Sequence, residues 1–408
     1  MPSTVRDLAG PRSAWFAAGA PAVLPVGPPA APARELPIAI LGVAFDPMTL
    51  ATAVDRIARM IDARRPHFVV TPNVDFLVQA QHDAELHQIL ASADLVLCDG
   101  KPLVWASRWL GNALPGRVAG SDLVPVLLQR AAERGWKIFL LGGAAGVGAE
   151  AARRIAADYP ALPAVAHYSP PLRPLVEMDH AEIVARLHAA QPDLVLVCFG
   201  CPKQEKWIFQ NYRTAGVPVM IGAGGTVDFL AGRLQRAPRW MRRGGLESFF
   251  RLGQEPRRLF KRYAGDLFKF VPALARQLWH LPARVTKKFP RGRVLFSTPM
   301  AYGLKVHATE QLHRDGLQDA PAFWAHAVEQ QGHCLIDLSA VRTIDSTGLA
   351  FLAHWQRRLA QVHRNLILFR PSAAVLSALA RMHLTEKFVI TDGVSPGEPA
   401  TPAAARRP

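Results

Sequence analysis

Between residues 37 and 232, apolar runs at 67–71, 94–98, 137–141, 193–199 and 217–222 alternate with stretches of helical period at 49–64, 74–91, 121–135, 146–158 and 179–190. No other feature constrains the chain as strongly. Strands this short and this apolar have no face to give to water, so each must be covered on both sides. With short turns between the elements, the pattern predicts a mainly parallel sheet with helices on both faces. Such sheets bind ligands beyond the carboxyl ends of their strands, so the residues that follow each run are the ones to inspect.

Thr71-Pro72-Asn73 follows Phe68-Val69-Val70, and Cys98-Asp99-Gly100 follows Leu95-Val96-Leu97. An Asp-Gly pair suits a turn. A carboxylate on a rigid strand end also suits a general base, which group transfer to an alcohol requires. Thr71 and Asn73 are polar groups for the same cleft or caps for the next helix. The third end, Phe199 to Trp207, reads as a helix start with Pro202 in its first turn. Free N–H groups there, with Lys203, suit a diphosphate, and Gln204 suits a sugar or base; a surface helix with Lys/Glu pairs is the alternative. Gly224 and Gly225, in the turn from Gly222 to Phe229, let backbone approach a ligand, and Asp228 either binds a ribose hydroxyl or caps a helix. The glycines from Gly142 to Gly148 lack the G-x-G-x-x-G spacing and are read as a tight turn. Together these groups suit an enzyme that moves a group off a phosphorylated donor.

The 408 residues carry a formal net charge of +16, which points to an anionic partner. Residues 233–293 hold 17 Lys/Arg against 3 acids, a local balance of +14. Trp240, Phe249, Phe250, Phe260, Phe268 and Trp279 sit among them, so the segment is expected to form basic amphipathic helices broken at Pro256, Pro272 and Pro282. The aromatic density favours an anionic membrane surface over nucleic acid. Residues 1–36 and the tail from Ser395 are Ala/Pro-rich and expected to be disordered. Four cysteines give no disulfide framework; Cys198 and Cys201 are read as buried thiols. No secretion signal or 18-residue apolar run is evident, so a cytoplasmic chain, peripheral on the inner face of the cell membrane, is expected. No Asp-x-Asp pair of the kind that holds a metal on a nucleotide diphosphate occurs, and metal-independent chemistry without a cofactor is expected.

Seven further groupings occur in one order with the strand ends: Asp99-Gly100, Arg117-Val-Ala-Gly120, Pro202-Lys-Gln-Glu205-Lys-Trp207, Gly224-Gly-Thr-Val-Asp-Phe229, Arg236-Ala-Pro238, Gly245-Leu-Glu247 and Glu255-Pro-Arg-Arg-Leu259. With Thr71-Pro-Asn73 they resemble the WecG/TagA/CpsF glycosyltransferases over residues ~38–265. The resemblance implies inverting transfer from a UDP-sugar, often UDP-N-acetylmannosamine or its uronic acid, to an undecaprenyl-diphosphate-linked sugar. It assigns Asp99 as base, Thr71 and Asn73 as active-site polar residues, Arg117 to the diphosphate or acceptor, and Gln204 and Glu205 to the donor. Lys203, Gly224, Gly225, Asp228 and Arg236 complete the expected substrate-binding set. Cys201 stands where serine is common, and Lys101-Pro102 where small or apolar residues are usual. The basic segment resembles the family's membrane-engaging appendage.

Leu335-Ile-Asp337-Leu-Ser339 and Ile344-Asp345-Ser346-Thr347-Gly348-Leu349 are similar to STAS domains. That resemblance maps a phosphorylatable serine to Ser346 and suggests a kinase or protein partner; a helix N-cap serine in a packing module is the alternative. The expected organisation is a Rossmann-like α/β transferase at 37–232, a basic helical appendage at 233–293 and a small α/β STAS domain at 294–394. Two alternatives remain: a glucosyl donor with another lipid-linked acceptor, and a non-catalytic nucleotide-sugar sensor. Homo-oligomerisation is open.

Overall fold

The computed structural model describes residues 36–235, 237–238, 241, 247–254, 256–281, 295–300, 303–317 and 333–392. The expected N-terminal arm up to residue 35, Arg236, the Pro282 break and the tail from Ser395 lie outside the described residues.

The chain enters through an antiparallel hairpin, β1 (Ile38–Ile40) and β2 (Val43–Phe45). The alternation follows: α1 (Leu50–Asp62), β3 (His67–Val70), α2 (Val74–Ala80), α3 (Ala84–Ser92), β4 (Leu95–Val96), α4 (Lys101–Trp109), α5 (Gly120–Arg134), β5 (Ile138–Gly142), α6 (Val147–Asp158) and β6 (Ala166–Tyr168). Then come α7 (His180–Ala190), β7 (Leu194–Cys198), α8 (Lys203–Ala215), β8 (Val219–Gly222) and α9 (Thr226–Leu230). Strands β3 to β8 form one sheet, ordered β4-β3-β8-β7-β5-β6, with every adjacent pair parallel. Phe68 and Val70 enter the core on one face and Val69 that on the other, as the apolar runs required. The expected 74–91 helix is two helices, because the Asp83 carboxylate accepts from Leu86 N at 2.9 Å and starts α3 afresh. The Gly142–Gly148 stretch is a turn: Gly142, Gly143 and Gly146 take φ of 104°, 82° and 77°.

The appendage contributes α10 (Glu247–Gln254) and α11 (Pro256–His280). Pro256 opens α11, but Pro272 lies within it and does not break it, contrary to expectation. Its neighbours Phe270 and Leu274 are buried in the transferase core, and that packing holds the helix across the lost hydrogen bond. Among the described residues no helix is long and apolar enough to cross a membrane.

A second unit follows: β9 (Leu295–Met300), β10 (Gly303–Ala308), β11 (Gln311–Leu312), β12 (His333–Asp337), β13 (Thr343–Ile344), α12 (Ser346–Ala360), β14 (Leu366–Phe369), α13 (Ala373–Arg381) and β15 (Val389–Thr391). Its main sheet runs β15-β14-β12-β10-β9, parallel except for β9 against β10.

The entry hairpin joins the two units. Ile38, Ile40, Val43 and Phe45 lie in the transferase core, whereas Leu36, Ala39 and Ala44 lie in the core of the second unit with Leu281. Alternate side chains of a strand point to opposite faces, so one small ribbon serves both cores. Gln277 of α11 fastens this junction. Its Oε1 accepts from Leu41 N at 2.8 Å, and its Nε2 donates to Ala39 O at 2.8 Å and to Ser346 Oγ at 2.9 Å.

Candidate active site

Because the sheet is parallel, the carboxyl ends of β4, β3, β8, β7 and β5 form one continuous rim. Asp99 lies just past β4, partly exposed, and its N–H donates to Pro72 O at 3.0 Å. This bond ties the Asp99 turn to the Thr71-Pro72-Asn73 turn on the neighbouring strand. The Arg117 loop joins them: Val118 N donates to Cys98 O at 2.7 Å. Burial, then the nearby Asp99 charge, pushes the Cys98 thiol up to about 12, so it stays protonated beneath the rim.

Thr71 is buried and its hydroxyl reaches Gly222 O at 3.5 Å, a long contact toward the end of β8. Asn73 caps α2, its Oδ1 accepting from Phe76 N at 3.3 Å. The Arg117 guanidinium donates to Asp122 at 2.5 Å, with its side chain 15% exposed. Lys203 opens α8, its ammonium donating to Arg173 O at 2.5 Å and lying 5.4 Å from the Phe199 ring.

Gln204 and Glu205 occupy the rim differently from the expectation of ligand contacts: they are 2% and 1% exposed. Gln204 Oε1 accepts from Gly200 N at 3.1 Å and Gly224 N at 3.0 Å, and its Nε2 donates to Glu205 Oε1 at 2.7 Å. One side chain thus stitches the turn after β7 to the turn after β8. A Cβ on Gly222 would come within 2.7 Å of Gln204 Nε2 and 2.8 Å of Glu205 Oε1, so any larger residue here would displace the Gln204–Glu205 pair. Burial raises the Glu205 carboxyl to about 7, against the opposing hydrogen bond from Gln204. No local sequence signal distinguishes this internal stitch from a ligand-facing pair, because both call for polar groups at a helix start.

Gly225 stands at the start of α9, and Asp228 lies inside that helix with its carbonyl accepting from Arg233 N at 2.9 Å. Arg236 falls outside the described residues. The appendage reaches this end of the molecule through Arg262, 3.9 Å from Asp75 in the first turn of α2. Among the described residues no cluster of three or more His, Cys, Asp or Glu could hold a metal.

Ser346 is not a helix cap. Asp345 fills that place, its carboxylate accepting from Gly348 N at 2.8 Å. Ser346 is fully buried against Gln277, so a phosphoryl group could reach it only after the junction opened.

Residues 38–284 match the glycosyl transferase WecG/TagA/CpsF family, and residues 303–391 match a Mlab-type STAS domain. Among curated proteins, the N-acetylglucosaminyldiphosphoundecaprenol N-acetyl-beta-D-mannosaminyltransferase of Bacillus spizizenii W23 is 33% identical over 198 residues, covering 48% of this chain and 75% of the relative. The enzyme of the same name from Bacillus subtilis 168 is 33% identical over 196 residues, with the same coverage. That of Staphylococcus aureus MRSA252 is 28% identical over 240 residues, covering 58% of this chain and 92% of the relative. The chain belongs to the WecG/TagA/CpsF family of glycosyltransferases and carries a STAS domain behind the transferase unit.

Proposed function

We propose that this hexosyltransferase moves N-acetylmannosamine from a UDP-sugar to a sugar carried on undecaprenyl diphosphate, with inversion, in exopolysaccharide or cell-envelope glycan assembly. The observation that carries this reading is the seat of Asp99: a partly exposed carboxylate on a strand end, bonded through its backbone to the Thr71–Asn73 turn. In the proposed reaction Asp99 accepts the proton of the acceptor hydroxyl as that oxygen attacks the anomeric carbon. The bond to the UDP oxygen breaks in the same step, and UDP departs with the electron pair. A single displacement needs no second carboxylate nucleophile. The charge gathering on the diphosphate is met by the amides at the start of α8 and by the cations Lys203 and Arg117. Gln204 shapes the donor pocket by holding two glycine turns together. The names of the relatives, which specify both the transferred sugar and the diphosphoundecaprenol acceptor, support this substrate class.

The same reading places the chain peripherally on the cytoplasmic face of the membrane. Phe260, Leu267, Phe268, Val271 and Trp279 of α11 are exposed, with Lys261, Lys269 and Arg276 exposed beside them. Apolar rings interleaved with cations suit the interface of an anionic bilayer. Replacing Phe268 and Trp279 together by Gln is expected to weaken pelleting with phosphatidylglycerol vesicles by roughly tenfold or more; unchanged pelleting overturns the membrane role.

The test of activity is UDP release from a panel of UDP-sugars with a short-chain diphospholipid-linked acceptor. Release with UDP-N-acetylmannosamine and its loss in Asp99→Asn are expected. Preference for UDP-glucose would replace the donor, and nucleotide-sugar binding without turnover would make the chain a sensor.

A further inference from the structure

β4, the strand that leads to Asp99, is the edge of the transferase sheet and pairs there with β3 through only two residues. Its other side is occupied by a residue from the loop after the hairpin. Asp46 N donates to Val96 O at 3.0 Å, and Asp46 Oδ2 accepts from Val96 N at 2.8 Å. Asp46 is buried, and its second oxygen is held from the STAS unit. Arg357 Nη2 donates to Oδ1 at 3.0 Å, and His354 Nδ1 lies 2.9 Å from the same atom. Three more STAS contacts fall on the segment entering β4. Arg357 Nη1 donates to Ala93 O at 3.3 Å, Gln361 Nε2 donates to Asp94 Oδ1 at 2.9 Å, and the Lys387 ammonium donates to Ala91 O.

We infer that the STAS unit positions the catalytic strand: Arg357, through Asp46, pins edge strand β4 and so fixes where Asp99 stands. Short edge strands open readily when nothing covers them. Here the cover is Asp46, which meets β4 at Val96, three residues before Asp99, and Asp46 is itself held by STAS residues more than 300 positions away in sequence. Arg357 is a positioning residue that touches no substrate. The STAS unit serves the reaction as a fixed brace, with its signature helix α12 turned inward. This inference rests on Asp99 being the base.

The test uses the full chain. Arg357→Met leaves the buried Asp46 charge without its guanidinium, with only His354 and the Val96 N–H against it. It is expected to lower kcat by roughly 10- to 100-fold, the scale of small misplacements of a reacting group, while KM for the donor sugar stays unchanged because the Gln204 stitch lies on other strands. Hydrogen exchange should quicken over residues 95–100 and not over β7. Adding Asp46→Asn removes the stranded charge and keeps an acceptor for Val96 N, so the Asp46→Asn/Arg357→Met pair should recover most of kcat. Where the single variant does not fold, the pair and His354→Gln carry the comparison. The inference is overturned by an unchanged kcat, by a loss that merely tracks the unfolded fraction, by exchange at 95–100 that ignores Arg357, or by a pair no better than the single variant. Full turnover in Asp99→Asn would instead remove the base assignment, and the exchange over residues 95–100 would then decide by itself whether the brace holds β4.

Discussion

Two aspartates flank the same short strand and live in opposite surroundings. Asp99 lies beyond the end of β4, partly exposed on the sheet rim, its backbone tied down by Pro72. Asp46 lies along the side of β4, 3% exposed, both of its oxygens engaged. Burial alone would raise the Asp46 carboxyl, but the Arg357 guanidinium, His354 and the Val96 N–H outweigh it and hold it down at about 2. A carboxylate so committed cannot accept a proton in turnover. The rim keeps a carboxylate near solvent and fixes its backbone, whereas the seam consumes a carboxylate to fix everything around it.

The contrast breaks if the two residues respond alike. Asp99→Asn should cost about 10²- to 10⁴-fold in turnover and leave the melting temperature unmoved, as read by UDP release and calorimetry. Asp46→Ala should do the reverse first. It strands Arg357 in the seam, so a stability loss of about 3–5 kcal/mol is expected by denaturant titration. Asp46 also sets a pH window. Its folded pKa lies below the unfolded value, so its contribution is present above about pH 4. It is lost as pH falls toward about 2. Asp46→Asn should flatten that acid limb.

Glu205 sharpens the comparison with the opposite sign. Burial raises its folded pKa to about 7, so the folded chain keeps a proton that the unfolded chain releases from about pH 4.5 upward. Its penalty therefore grows as pH rises to 7 and stays above it. Glu205→Gln keeps an acceptor for Gln204 and should raise the melting temperature at pH 8, by a gain of roughly 2–3 kcal/mol, and not at pH 4. A gain over the parent chain that is the same at both values would mean that folding does not raise the Glu205 carboxyl.

The rim was legible in the sequence because parallel strands must be apolar and ligand groups must follow them. Asp99, Thr71, Asn73, Lys203 and Gly224 all stand at neighbouring strand ends, as the runs before them implied. The seam was not legible, because its partners are hundreds of residues apart. Nothing local to Asp46 announces Arg357, and nothing in the Asp345-Ser346-Thr347-Gly348 motif announces that Ser346 meets Gln277. The entry hairpin escaped notice for a different reason: strands of three residues are too short to show a period. Pro272 misled because a rule about isolated helices met a helix held by tertiary packing.

The hairpin's two-sided burial bears on how the molecule can be divided. Small Ala39 and Ala44 admit α12 closely on one side while bulky Ile38, Ile40 and Phe45 key into the transferase on the other. Cutting after the appendage would bare a ribbon built to be interior and would release the edge of β4 together with it. Heat should therefore melt both lobes in one cooperative step, with neither surviving as an independent fragment.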